Sequence, residues 1–315
     1  MKKFKLPKFK SLRQLQETFR TEKACIAFLE RELWGDGTPI SPYSPTSKVY
    51  RRKDGTYRCK DTGKNFNVKV GTIFENTKLT LRTWFTAIYL INTHKKGISS
   101  EQLSRTMGVT KKTTWFLSHR IRQMHDIPIT EKFDGEVEID ETFVGGKNKN
   151  RHWNKKTKHV DNRSFRDKVP VMGIMQRNGF VVCKVLDGVS YKQLTPPILK
   201  YVKRTATIYS DEWRGYKYIH KLYKHHVVDH GHGIYVDGGA YTNTIEGFWG
   251  NYCKRSIIGI YNHVIKRHMQ RYFNEFAFRY NTRDVKASEQ FEIAISNCRK
   301  RLTYKQLINE NKKAA

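Results

Sequence analysis

Three acidic residues stand where phosphodiester chemistry can use them: Asp140 toward the end of one apolar strand, Asp211 at the end of another, and Glu246 entering a helix. Cleaving a phosphodiester at neutral pH requires an activated water or hydroxyl and a counter-charge for the leaving oxygen. Two Mg²⁺ ions about 3.5–4 Å apart provide both. Hard cations take oxygen ligands and must keep positions open for a substrate phosphate, so carboxylates from neighbouring strand ends and an adjacent helix suit them. Each acid also has a plainer reading. Asp140 lies between Glu138 and Glu141, and strand alternation puts Glu138 on the same face, which makes it a rival ligand. Asp211 can serve as a helix N-cap and Glu246 as a first-turn residue favoured by the helix dipole. Asn243 offers an amide oxygen as an alternative third ligand.

These acids need a scaffold, and the pattern after Asp134 predicts one. Strands are expected at Val137 to Val144, Pro170 to Met175, Gly179 to Leu186, Ala206 to Ser210 and from His225, with helices over Tyr191 to Arg204, Glu212 to Leu222, Asn243 to Arg255 and Lys266 to Tyr280. Three strands, helix, strand, helix, strand, helix is the order of an RNase H-like mixed sheet flanked by helices, an α/β fold. Its first and fourth strands are neighbours, which sets Asp140 beside Asp211.

The chain has 315 residues, with 60 Lys and Arg against 29 Asp and Glu, a formal net charge of +31. Such a field favours a polyanionic partner. Ribosomal, chromatin-coating and membrane-surface proteins share that charge, but regular apolar patterning here implies folded domains. The longest apolar run, Trp84 to Ile91, is far shorter than a bilayer span, and no signal peptide is recognisable, so a cytoplasmic, nucleoid-associated protein without a membrane partner is expected. The five cysteines lie far apart and form neither a disulfide framework nor a zinc clip. His225, His226, His230 and His232 invite a zinc site, yet alternation turns the adjacent pair to opposite faces.

Upstream, residues 1–33 read as helical and 34–76 as short β pieces, with Asp54-Gly55 a hairpin turn. Residues 77–130 read as a helix-turn-helix domain, in which Ser99 and Thr110 cap two helices around Gly108. Its second helix carries the DNA-contact candidates Lys111, Lys112, Thr113, Thr114, Arg120 and Arg122. The catalytic domain is expected over 131–285 and a basic tail or helix over 286–315. A glycine-started loop holding Lys147 and Lys149, and the pair Lys254 and Arg255 beyond Glu246, are candidates for phosphate contact.

Ile139-Asp140-Glu141-Thr142-Phe143-Val144-Gly145-Gly146, Ser210-Asp211, Tyr241 to Trp249 with Lys254-Arg255, and His268 to Arg283 together resemble the DDE transposases of the ISXO type, from about residue 20 to 290. The resemblance implies an RNase H-like catalytic domain, two Mg²⁺ ions (Mn²⁺ as substitute), and double-stranded DNA as partner: the element's terminal inverted repeats and a target. It also implies multimers on paired ends, metal-dependent cleavage and 3′-hydroxyl strand transfer. It carries Asp140 and Asp211 over as ligands, leaves the third between Glu246 and Asn243, with Glu246 preferred, and matches Lys254 to the basic residue that follows. Family members carry a zinc ribbon with two Cys-x-x-Cys pairs. Here Pro42-Tyr-Ser-Pro45 and Cys59-Lys-Asp-Thr62 stand in their place, so zinc is not expected and the module should hold through Tyr50, Tyr57, Phe66 and Val70. Rival readings are a DNA-binding regulator that has lost the chemistry and a nuclease without joining activity.

Overall fold

A computed structural model describes residues 8–35, 38–146, 152–156, 168–228 and 242–309. The chain divides into two compact units, one formed by Met1–Asp126 with Asp284–Ala315 and the other by Ile127–Arg283.

The first unit opens with helices α1 (Leu12–Thr18) and α2 (Glu22–Trp34), whose N-caps Ser11 and Thr21 accept hydrogen bonds from Gln14 and Ala24 backbone N–H groups. Strands β1 (Val49–Arg51), β2 (Tyr57–Cys59) and β3 (Asn65–Phe66) then form an antiparallel sheet in that order. Trp34, Tyr57 and Phe66 are buried here, with the Trp34 and Tyr57 rings 5.1 Å apart. Tyr50 is exposed and Val70 only half-buried, so Trp34 replaces them in holding this small sheet. Cys59 is buried, and hydrogen bonds from Ser41, Ser47 and Thr62 lower its thiol to about 6. Three helices follow: α3 (Leu81–Thr93), α4 (Ser100–Met107) and α5 (Lys111–Met124). Ser99 and Thr110 cap the last two as expected, and Gly108 turns between them in the left-handed conformation at φ 64°, where a side chain would be strained.

The second unit is built on a five-stranded sheet of β4 (Glu136–Val144), β5 (Val169–Gln176), β6 (Val181–Val185), β7 (Thr207–Asp211) and β8 (Lys224–Val228), ordered β6-β5-β4-β7-β8. β5 is antiparallel to β4 and β6, whereas β7 runs parallel to β4 and β8. This arrangement is compatible with an RNase H-like transposase domain. Both faces are covered. Helix α6 (Tyr191–Tyr201) packs Leu194 and Ile198 against Val137, Ile139 and Ile208, while α7 (Asn243–Phe248) and α8 (Lys266–Asn281) cover the other face with Ile245, Phe273 and Phe276. The edge strand β6 is bonded along its free side by α8 amides: Asn281 exchanges two hydrogen bonds with Val181, and Gln270 bridges Val185 and Cys183.

Two expected helices differ. Glu212 to Leu222 folds as 3₁₀ turns at Arg214–Tyr216 and Ile219–Lys221, and Gly215 within them lies so close to Leu194 and the Val189 carbonyl that an added Cβ would come within 2.6 Å of both. α7 continues beyond Phe248 in wider π-type turns, Trp249–Lys254 and Ile257–Tyr261. The C-terminal helices α9 (Ala287–Ser296) and α10 (Tyr304–Asn309) fall within the first unit. Phe291 of α9 joins its aromatic core, 5.2 Å from Phe85, which lies 4.8 Å from Phe19.

Candidate active site

The parallel register of β4 and β7 ends at Glu138 opposite Tyr209. Asp140 and Asp211 each lie two residues further along, so both stand at the same level and on the same face. That face is the one α7 covers. Trp249, one turn past Ile245, donates its indole N–H to Asp140 Oδ2 at 2.9 Å. It reaches that position because residue 173, paired with Asp140 across β5, is glycine: a Cβ there would stand 2.5 Å from the Trp249 ring and 2.9 Å from Ile245.

Crowding shows in the acidities. Burial and then the charge of Asp211 push Asp140 up to about 7, opposed by the Trp249 hydrogen bond and aided by the charge of Glu246. Asp140, Asp211 and Glu246 are thus electrostatic neighbours. On the opposite face of β4, Glu141 rises to about 8 through burial and the charges of Asp140 and Asp211, with the Tyr216 hydroxyl donating to its carboxylate and pulling the other way. Tyr216 itself is held well above its ordinary value by burial and then by Glu141. Asp211 Oδ1 accepts the Trp213 backbone N–H at 3.1 Å. Glu246 is exposed, and its Oε1 takes the Thr242 hydroxyl at 3.2 Å.

As placed, no three His, Cys, Asp or Glu side chains among the described residues form a group that could hold a metal ion. The donor set nevertheless fits a hard divalent cation. It is all carboxylate oxygen, and a cation offsets the repulsion that raises Asp140. Asn243, the alternative ligand, is exposed on the first turn of α7, and Lys254 and Arg255 are exposed further along the same helical stretch. Glu138 departs from the expectation of a rival ligand: it is fully buried and held by Arg177 and the Ile245 backbone. Lys147, Lys149, His230 and His232 lie outside the described residues. Ser210 Oγ and His225 Nε2 are 2.9 Å apart, and burial lowers His225 to about 4. His226 instead stacks on Tyr209, on the other face as alternation requires.

On α5 the DNA-contact candidates split. Lys111 and Lys112 are exposed and Thr113 is half-buried. Thr114, Arg120 and Arg122 are buried and correct that part of the expectation. Thr114 donates to the Ser100 carbonyl, which locks α4 to α5, and Arg120 donates to the Glu75 carbonyl while stacking 5.0 Å from the Trp84 ring. Basic side chains on the inner face of an amphipathic helix serve packing, and their positions on the helix could have said so. The sequence reading also missed Trp249, Tyr216 and Glu141 as partners of the acids. Burial and pairing across the sheet reveal them, and neither is visible along a chain.

Residues 132–281, which contain the whole sheet, match the family model described as the ISXO2-like transposase domain. A relative described as "Uncharacterized protein in transposable element ISH50", from Halobacterium salinarum (strain ATCC 700922 / JCM 11081 / NRC-1), is 28% identical over 245 residues, covering 73% of this chain and 81% of its own length. Acids at adjacent strand ends, a sheet of this order and these two matches support an insertion-sequence transposase of the ISXO2-like type, with residues 132–281 as its matched domain.

Proposed function

We propose that this transposase binds the terminal inverted repeats of its element as double-stranded DNA and catalyses metal-dependent cleavage and 3′-hydroxyl strand transfer. The supporting observation is the placement of Asp140 and Asp211 at one level and on one face of the adjacent parallel strands β4 and β7, with the charges of Asp211 and Glu246 both raising Asp140. In this reading Asp140, Asp211 and Glu246 would hold two divalent cations, Mg²⁺ or Mn²⁺, with Asn243 the alternative to Glu246. When bound, these ions supply an activated nucleophile and a counter-charge for the leaving oxygen. Trp249 fixes the orientation of Asp140 through its indole N–H. Lys254 and Arg255, exposed beyond Glu246, contact substrate phosphates, and a net charge of +31 draws the duplex in.

Lys111, Lys112 and Thr113, at the start of α5, are assigned to end recognition as the second helix of a helix-turn-helix. The protein assembles on paired ends as a dimer or higher multimer and acts on the nucleoid. No helix among the described residues is long and apolar enough to cross a membrane.

The test is joining of end oligonucleotides to a target duplex in Mg²⁺, comparing wild type with Asp211→Asn. Losing a ligand should lower joining by about 10³-fold, the scale of several kcal/mol of charge stabilisation. Unchanged joining in the variant would remove this carboxylate from the mechanism. Nicked ends without target-linked product from the wild type would mark a nuclease instead.

A further inference from the structure

A carboxylate buried in a protein is costly unless each oxygen is satisfied. Glu138 is 0% exposed, and its two oxygens serve two different elements. Oε1 accepts from Arg177 Nε at 2.8 Å, and Oε2 accepts the backbone N–H of Ile245 at 2.9 Å. Ile245 is the third residue of α7, where the N–H has no partner inside the helix and a capping side chain ordinarily reaches it. The N-cap residue Thr242 makes no side-chain capping bond, and the first intrahelical bond runs from Glu246 N–H to the Thr242 carbonyl at 3.1 Å. The cap is therefore supplied from β4, two residues from Asp140.

Arg177 is fixed in turn. It pairs with Glu136 at 3.1 Å and stacks 4.1 Å from the ring of Tyr209, which lies two residues before Asp211 and donates its hydroxyl to Glu136 at 2.8 Å. The brace thus touches the three elements that carry the three acids.

We propose that Glu138 is a positioning residue: by capping Ile245 while anchored by Arg177, it sets the first turn of α7 so that Glu246 and Trp249 meet Asp140. The proposal rests on the reading of Asp140, Asp211 and Glu246 as metal ligands. Glu138 takes no cation itself, since both of its oxygens are engaged by N–H donors.

The test uses the full chain with Glu138→Gln, Glu138→Ala and Asp211→Asn as comparator. Glutamine has one acceptor oxygen, so either the Arg177 Nε bond or the cap on Ile245 is lost. The metal-free readout is the ¹H–¹⁵N signal of the Trp249 indole, assigned with Trp249→Phe. The loaded readouts are Mn²⁺ titration and strand-transfer kinetics. Glu138→Gln should shift the Trp249 signal, and Mn²⁺ affinity and kcat should each fall about 10–100-fold, the usual scale for groups that orient ligands. KM for end DNA should stay unchanged, and excess Mn²⁺ should restore part of the rate. Glu138→Ala should act in the same direction and further; if it does not fold, Glu138→Gln decides.

An unshifted Trp249 signal with wild-type Mn²⁺ affinity in Glu138→Gln would overturn the brace, as would a loss confined to KM. Wild-type joining by Asp211→Asn would instead defeat the assignment of the ligands, and the Trp249 signal would still judge the brace separately.

Discussion

Each unit holds an acid, buried at Cys59 and half-buried at Asp140, whose acidity is displaced, and the two are displaced in opposite directions. Cys59, in the small sheet, is ringed by the hydroxyls of Ser41, Ser47 and Thr62 and falls to about 6. Asp140, in the large sheet, is ringed by burial and other carboxylates and rises to about 7. Donors satisfy a negative charge and acids resist it, so the first cluster is complete within its own chain while the second calls for a cation. The lesson is that an acidic side chain in a fold says little until the chemistry of its neighbours is known.

The sharpest way to break that contrast is to add metal. Saturating Mg²⁺ or Mn²⁺ at about 100 times its Kd should stabilise the second unit by about 2.7 kcal/mol for each ion bound. Hydrogen exchange should show protection in β4, β7 and α7. Zn²⁺ should protect nothing in residues 41–62, and protection there would erase the difference between the two clusters.

A smaller effect is expected from Gly173→Ala. Its Cβ would stand 2.5 Å from the Trp249 ring, so the indole must move, at about 1–3 kcal/mol of overpacking cost. Denaturant melts measure that loss. A variant as stable as wild type, with Trp249 unmoved, would show that the sheet yields instead of the helix.

The smallest effect is one of sign, read from stability against pH. The Cys59 thiol is lowered from 9.0 to about 6, so the unfolded chain binds more protons across that window. Its contribution should be present above pH 9 and be lost as pH falls through about 6. Asp140 is raised from 3.8 to about 7, so the folded chain binds more protons there and its contribution should decline as pH rises across that range in the absence of metal. Cys59→Ser should remove the first slope, together with a thiolate absorbance band appearing near pH 6, and leave the second. A band that appears only near pH 9 would return Cys59 to ordinary thiol behaviour.

Much of the scaffold was legible in the sequence because period-two apolar runs and turn residues report strands directly. β4 and β7 lie side by side as element order required, and Ser99, Gly108 and Thr110 do what their types suggest. The interior of the site was less legible. Glu138 and Asp140 share a face, and alternation alone cannot distinguish a ligand from a residue engaged by Arg177 and a helix N-terminus. Two basic residues of α5, Arg120 and Arg122, were harder to read for a related reason: both are buried, and Arg120 carries a charge but spends it on a carbonyl and a ring within its own unit. The 3₁₀ turns after Asp211 also escaped: Gly215 packs on Leu194 and the Val189 carbonyl, contacts that lie more than twenty positions away along the chain.

The amides that α8 lays along β6 have a consequence for the molecule's company. Asn281 and Gln270 occupy the backbone groups that an incoming chain would use to extend the sheet. Lateral growth into aggregates is blocked on that flank by two side chains, and exchanging both for alanine would open a sticky border along the edge of the sheet.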